Sequence, residues 1–257
     1  MKIISIFNQK GGVGKTTTNI NLAAGLAMKK KKVLTIDMDP QGNTTSGLGI
    51  DKHEQQLSTY DLLLGDTPTK ELIQPIEKVS GLFIIPSSMD LASADIELSQ
   101  REHREKVLAE RLKEIESEQF DFVLLDCPPS LGLLSINALT ASDSVIIPMQ
   151  SEFYALEGIS HLLATIDRVN QGLNKNLMIE GVLLVMYDPR KNLHLEVARE
   201  LKQHFGDQVY HSTIPQNVRL AEAPSFGVPV FQYDPKCKGA EAFKDLVNEF
   251  LKKNKEK

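Results

Sequence analysis

Cysteine is scarce in this chain. Cys127 and Cys237 are the only two among 257 residues, far apart and without a CxxC pair. That excludes a disulfide-stapled scaffold, offers no zinc framework, and fits two reduced thiols in a cytosolic protein. Long apolar runs are missing as well. The longest, Val182 to Tyr187, falls far short of the ~18 residues that span a bilayer. The opening Met1-Lys2-Ile3-Ile4-Ser5-Ile6-Phe7 is too short for a signal-peptide core and carries no cleavage site. A cytoplasmic protein is therefore expected. A dominant sign of charge is also lacking. With 29 Lys and Arg against 34 Asp and Glu, the net charge is −5, so nucleic-acid binding would have to come from a local basic patch. No repeat, low-complexity tract or Pro/Gly/Ser linker divides the chain, and residues 1–257 read as one domain.

What is present is an ordinary globular composition, 41% hydrophobic and 25% charged, in a chain long enough to bury a sizeable core unaided. Short apolar runs alternate with helix-period segments. Lys2–Asn8, Val33–Asp37, Leu82–Pro86, Phe120–Asp126, Ser144–Pro148 and Gly181–Tyr187 read as strands. Thr16–Lys30, Arg101–Glu116, the Leu156/Ile159/Leu163/Ile166 stripe, the Val197/Leu201/Phe205 stripe closed by Gly206, and Ala240–Lys252 read as helices. Ser58 and Thr67-Pro68 look like helix starts, the second with Pro at the first helical position. Continuous apolar strands alternating with helices predict an α/β fold, a mostly parallel twisted sheet with helices on both faces. Ligands of such sheets bind beyond the C-terminal strand ends, here after Asn8, Asp37, Asp126, Pro148 and Tyr187.

Lys10-Gly11-Gly12-Val13-Gly14-Lys15-Thr16-Thr17 follows the first strand and opens a helix, the context of a phosphate-binding loop. The glycines let backbone N–H groups turn onto phosphate oxygens at a helix N-terminus. Lys15 can reach β- and γ-phosphates, and the Thr16 hydroxyl can ligate Mg²⁺. The common pattern GxxxxGK[ST] wants glycine where Gln9 stands, and a second lysine, Lys10, begins the loop. Two carboxylate segments accompany it. Asp37-Met38-Asp39-Pro40-Gln41-Gly42-Asn43 follows the second strand and puts both acids on one side if the strand persists; Asp39 could then orient a water. Phe120–Asp126 is an apolar strand ending in a carboxylate, the Walker B arrangement, and Asp126 would hold the hydration shell of Mg²⁺.

These residues carry a resemblance. The loop KGGVGKTT with its leading lysine resembles the deviant Walker A P-loop of the ParA/MinD superfamily of P-loop NTPases, DMDPQGN resembles its switch I, and DCPPS its switch II. The resemblance runs from Lys2 to about Phe250. It implies that Lys10 contacts phosphates bound by a partner subunit in an ATP-dependent sandwich homodimer, and that Asp39 activates the attacking water. Ile214-Pro215-Gln216-Asn217-Val218-Arg219 resembles the family's base-binding segment, which implies adenine contacts at Pro215 and Asn217. No guanine-reading NKxD motif is present, which favours ATP over GTP. CPPSLGLLSINALTASD (Cys127–Asp143) and EFYALEG (Glu152–Gly158) resemble the ParA/Soj partition branch. That branch implies a slow ATPase for chromosome or plasmid partition. It would be cytoplasmic and nucleoid-associated, would bind double-stranded DNA non-specifically, and would be stimulated by a ParB-type protein. The arginines map onto Arg190, beside Lys191, and Arg219; Gln216 and Val228 depart from the family's usual Arg and Lys. The start of the loop near residue 10 leaves no room for a preceding helix-turn-helix domain. A MinD-like membrane-associated or a cargo-positioning ATPase is the alternative; the membrane form rests on the Phe243/Leu246/Val247/Phe250/Leu251 stripe, which a core-packing helix explains more simply. Stable membrane association is not expected. An iron–sulfur reductase subunit is a further alternative, but Cys127 and Cys237 do not fit that family's cluster positions.

Overall fold

A computed structural model describes residues 1–152 and 155–255. Among the described residues, seven strands build one sheet: β1 (Lys2–Ile6), β2 (Val33–Asp37), β3 (Gln74–Pro75), β4 (Leu82–Ile85), β5 (Phe122–Asp126), β6 (Ser144–Gln150) and β7 (Met178–Val185). Their spatial order is β3-β4-β2-β5-β1-β6-β7. Every neighbouring pair is parallel except β3 with β4. The apolar runs have no polar face because both faces of the sheet are covered; all five residues of β2 and of β5 are buried. Period-two alternation splits them between two cores. Leu34, Ile36, Val123 and Leu125 face one layer of helices, and Ile4, Ile6, Leu124 and Ile146 face the other.

The second core contains the helix Lys15–Met28 and the C-terminal helix Lys238–Lys255. Phe243, Leu246, Val247 and Phe250 of the latter are buried there, and Phe250 meets Phe122 edge-on at 5.2 Å between ring centroids. The far end of this helix is tied to the sheet by Asn254, whose amide donates to Glu180 at 2.8 Å, while Lys2 Nζ bridges Glu180 and Asn254 at 2.5 Å each. The apolar stripe that suggested a membrane helix is thus core-facing.

Several sequence expectations are corrected. Only Val107–Leu112 of the stretch Arg101–Glu116 is α-helical. The preceding residues turn instead, because Arg101 donates to the Leu63 and Leu64 carbonyls and His103 takes a left-handed φ of 54°. Pro68 caps a 3₁₀ turn, Thr69–Leu72, and does not begin an α-helix; the Thr69 amide and hydroxyl are drawn to Glu114 and the Arg111 carbonyl. The first helix stops at Met28, two residues before the expected end, where Lys30 turns to φ 62°. The antiparallel edge strand β3 was not anticipated, having only two residues. Ser58 does start a helix, Thr59–Leu64, with a capping box to Asp61, and Gly206 closes Asn192–Phe205 with φ 53°. Phe153 and Tyr154 of the EFYALEG segment lie outside the described residues.

Candidate active site

The phosphate-binding loop hangs from β1, an interior strand of the sheet. It leaves β1 and enters the helix Lys15–Met28 with Gly12 at φ 74° and Gly14 at φ 75°, a conformation that side chains with a Cβ rarely adopt. Gly14 is the N-cap and makes no side-chain cap bond, so the helix start presents its amides to a ligand. A Cβ added at Gly11 or Gly12 would meet no atom within 4 Å: these glycines line open space. Neighbouring side chains pin the loop. Asn8 Oδ1 accepts from the Lys10 amide at 3.0 Å while its Nδ2 donates to the Pro148 carbonyl at 2.8 Å. Gln150 donates to the Gly12 carbonyl at 3.0 Å. Val13 is buried beneath the loop. Lys15 is only 7% exposed, and its ammonium donates to the Lys10 carbonyl at 3.0 Å. Burial lowers its pKa, opposed by the charges of Asp126, Cys127 and Asp39. Lys10 points elsewhere, into an ion pair with Glu152.

Asp126 ends β5, next to β1, and is completely buried. Its Oδ2 accepts from the Thr16 hydroxyl at 2.8 Å and from the Thr44 hydroxyl at 2.7 Å. Its Oδ1 is buried without a partner among the described residues. An orphaned carboxylate oxygen, a threonine hydroxyl and a glycine cradle at one helix N-terminus suit Mg²⁺ on a polyphosphate, because Mg²⁺ takes few protein ligands and keeps water and phosphate oxygens for the rest. Burial, then the charge of Asp37, pushes the Asp126 carboxyl well above the usual carboxylate range.

Strand β2 ends at Asp37, so Asp39 has already left the sheet. It nevertheless faces the phosphate side, lining with Lys15, Thr16 and Asn43 a cleft of about 360 Å³. Asp37 is wholly buried and accepts from both the amide and the hydroxyl of Thr45, at 2.8 and 2.7 Å. Sequence reasoning missed Thr44, Thr45 and Ser87. The two threonines lie on a one-turn helix, Asn43–Gly47, and Ser87 follows β4. Turn-like hydroxyls carry no periodic signal; the one hint was that two threonines directly follow the DMDPQGN segment.

A second cavity of about 510 Å³ adjoins the first, lined by Gly14, Thr17, Val185, Pro215, Asn217 and Phe243. Met186 and Thr17 face both. Asn217 caps the helix Val218–Glu222 by accepting from the Arg219 amide at 2.9 Å. That bond fixes its Oδ1, and its Nδ2 makes no hydrogen bond among the described residues. A largely apolar cavity with the Asn217 amide and backbone groups at its wall fits a purine base. Pro215 and Asn217 thus line one cavity.

The basic residues are less free than the sequence suggested. Arg190 is highly exposed yet chelates Asp188 through two bonds of 2.9 Å. Arg219 pairs with Glu222 at 2.8 Å and Asp234 at 3.4 Å and lies 6.0 Å from the Tyr233 ring centroid. Lys191 caps the helix Asn192–Phe205 and is exposed.

A family model described as an AAA domain matches residues 1–179. The sporulation initiation inhibitor protein Soj of Bacillus subtilis is 54% identical over 248 residues, covering 96% of this chain and 97% of its own. The chromosome partitioning protein ParA of Myxococcus xanthus is 49% identical over 253 residues, 98% of this chain and 89% of its own. Among solved structures, cobyrinic acid a,c-diamide synthase from Mycobacterium smegmatis, with bound ATP analogue and magnesium, superposes with a TM-score of 0.86 at 33% identity. It covers 99% of this chain and 96% of that one. A chain that matches Soj and ParA at about half of all aligned positions, almost end to end, belongs to the ParA/Soj family of chromosome-partitioning ATPases, with a P-loop fold that works on ATP and Mg²⁺.

Proposed function

We propose that this partitioning ATPase binds double-stranded DNA without sequence preference as an ATP-bound sandwich homodimer, and that a ParB-type protein stimulates the hydrolysis that releases it. The backbone of Gly11, Gly12, Val13 and Gly14 and the helix start at Thr16 and Thr17 cradle the phosphates. Lys15 places its charge on the β- and γ-oxygens. Thr16 and Asp126 hold Mg²⁺, whose charge neutralises phosphate oxygens. Asp39 orients the attacking water, and ATP and water leave as ADP and phosphate. Pro215 and Asn217 take the adenine edge. Lys10 serves the partner's nucleotide, which requires it to exchange Glu152 for a phosphate.

The observation that supports the DNA-binding half is continuity of the base pocket with the basic residues. Met186 and Asn217 line the nucleotide cavity; Arg190 and Lys191 follow four and five residues after the first, Arg219 two residues after the second. Nucleotide occupancy and DNA contact thus share the same two segments. A two-fold axis would double this patch. Burial of the C-terminal stripe, Phe243 to Phe250, in the core leaves the membrane alternative without the spare apolar face it needs. A cytoplasmic, nucleoid-bound protein follows from this reading.

The test is binding to random-sequence duplex DNA with ATP, with ADP and without nucleotide, at two salt concentrations. Binding confined to ATP, with a log–log salt slope of about −0.9 per phosphate neutralised, supports the proposal. Absence of binding in every condition overturns its DNA half and leaves the ATPase standing.

A further inference from the structure

We propose that Ser87 is a positioning residue for ATP hydrolysis, holding Asp39 through its main-chain carbonyl as one link of a closed hydrogen-bonded ring with Asp37 and Thr45. The inference rests on the reading of Asp39 as the water-orienting carboxylate.

The need for such a device follows from the fold. Strand β2 ends at Asp37, so sheet pairing does not hold Asp39. Pro40 follows it and has no N–H to anchor the turn. A carboxylate that aligns a water must be kept to a fraction of an ångström, and loops do this only with support from a second layer of groups.

The ring supplies that support. Ser87, fully buried beyond the end of β4, donates its hydroxyl to the Asp39 carbonyl at 2.8 Å. Its amide donates to the Thr45 hydroxyl at 2.9 Å. That hydroxyl donates to Asp37 Oδ2 at 2.7 Å, and Asp37 Oδ1 accepts from the Asp39 amide at 3.2 Å. The circuit therefore grips Asp39 on both sides of its Cα. The other bonds to Asp39 are local: the Gln41 amide to its Oδ1 at 2.9 Å and the Gly42 amide to its carbonyl at 2.9 Å. Among the described residues, Ser87 is the one hydrogen-bonding partner of Asp39 from outside residues 37–42. Thr45 also neighbours Thr44, which donates to Asp126, so the ring is joined to the carboxylate expected to hold Mg²⁺. None of Ser87, Thr45 or Asp37 lines the nucleotide cleft, so their effect passes through the residues they hold, and for Ser87 that residue is Asp39.

The test compares Ser87→Ala, Thr45→Val, Thr45→Ser and Asp39→Ala in the full chain. It measures ATP turnover, affinity for a non-hydrolysable ATP analogue with Mg²⁺, and melting temperature. Ser87→Ala is expected to lower kcat about tenfold, the effect of one lost buried hydrogen bond, with affinity within about twofold of wild type. Thr45→Val keeps the side-chain shape, opens the ring at two links and should lower kcat at least as far. Thr45→Ser keeps the hydroxyl and should restore turnover. Unchanged kcat in Ser87→Ala beside an inactive Asp39→Ala overturns the role of Ser87 and leaves that of Asp39 intact. Loss of kcat, affinity and melting temperature together reduces Ser87 to a structural residue and also overturns it, as does a Thr45→Ser protein no better than Thr45→Val. Normal turnover by Asp39→Ala overturns the reading of Asp39 itself.

Discussion

Stripped of nucleotide and Mg²⁺, the protein should grow less stable as the pH rises from about 5 to 7. Asp37 and Asp126 stand opposite each other in the register of β2 and β5, and both are fully buried. Burial pushes each carboxyl above the usual carboxylate range; repulsion from Asp39, and of Asp126 by Asp37, adds to it, and the Thr16, Thr44 and Thr45 hydroxyls only partly oppose it. An acid with a raised folded pKa keeps its proton in the fold and gives it up on unfolding. Its stabilising contribution is complete below the ordinary value of 3.8 and is lost as the pH climbs through the folded value. The slope is about 1.4 kcal/mol per pH unit for each proton so retained. At about 2–4 °C per kcal/mol for a chain of this size, the melting temperature should fall about 3–6 °C per unit for one shared proton. The lowered carboxyls, among them Asp188 and Glu222, titrate below this window. The assay is circular-dichroism melting in chelator across the window, with Asp126→Asn as comparator to cancel the titrating groups outside this pair. Wild type should lose stability more steeply than the variant, and Mg²⁺ with ATP should flatten the wild-type curve. A wild-type curve that is level or rising, or one parallel to that of Asp126→Asn, refutes the reasoning.

Lys15→Ala should weaken ATP binding about 100-fold or more, since it removes the charge aimed at the phosphates; isothermal titration checks this, and near-normal affinity would count against the loop assignment. Arg219→Glu should abolish DNA binding while leaving the ATP-dependent dimer intact, read by filter binding and sedimentation; unchanged DNA affinity would place the patch elsewhere. Gly227→Ala should destabilise the fold by about 2 kcal/mol or more, because Gly227 sits at φ 61° and a Cβ there would lie 2.5 Å from the Gly49 Cα. Urea denaturation measures it, and a loss under about 0.5 kcal/mol would mean that the two turns yield easily.

The framework of this site was legible because its parts obey local rules. Apolar runs without alternation announced the buried parallel strands; Asp37 and Asp126 end β2 and β5 as drawn. Gly12 and Gly14 occupy the left-handed conformations that a tight phosphate loop demands. What stayed hidden depends on partners distant in sequence. Asp95 accepts from the Leu134 amide at 3.0 Å across 39 residues, and so caps the helix that follows switch II. Ser87 reaches Asp39 across 48 residues. Arg101–Glu116 had the apolar spacing of a long helix, yet Arg101 and Arg104 donate to the helix-end carbonyls of Leu63, Leu64 and Ser99, a competition that spacing does not reveal. The basic patch was read from Arg190, Lys191 and Arg219, and the carboxylate partners of the two arginines appear only in three dimensions.

The strand order has a consequence for how the chain is made. β1 sits between β5 and β6, so the phosphate loop acquires its neighbours only after residues 122–150 exist. A ribosome adding about 5–20 residues per second needs roughly 4–17 s to travel from Asp37 to Phe122. During that interval β1 and β2 have no β5 between them, and the loop lacks both Asp126 and Gln150. Parallel pairing over such separations is slow to form. A ligand that favours the native state stabilises only what already binds it, so ATP cannot guide the early steps. The nascent chain is expected to stay blind to nucleotide until the second half of the sheet has closed around its first strand.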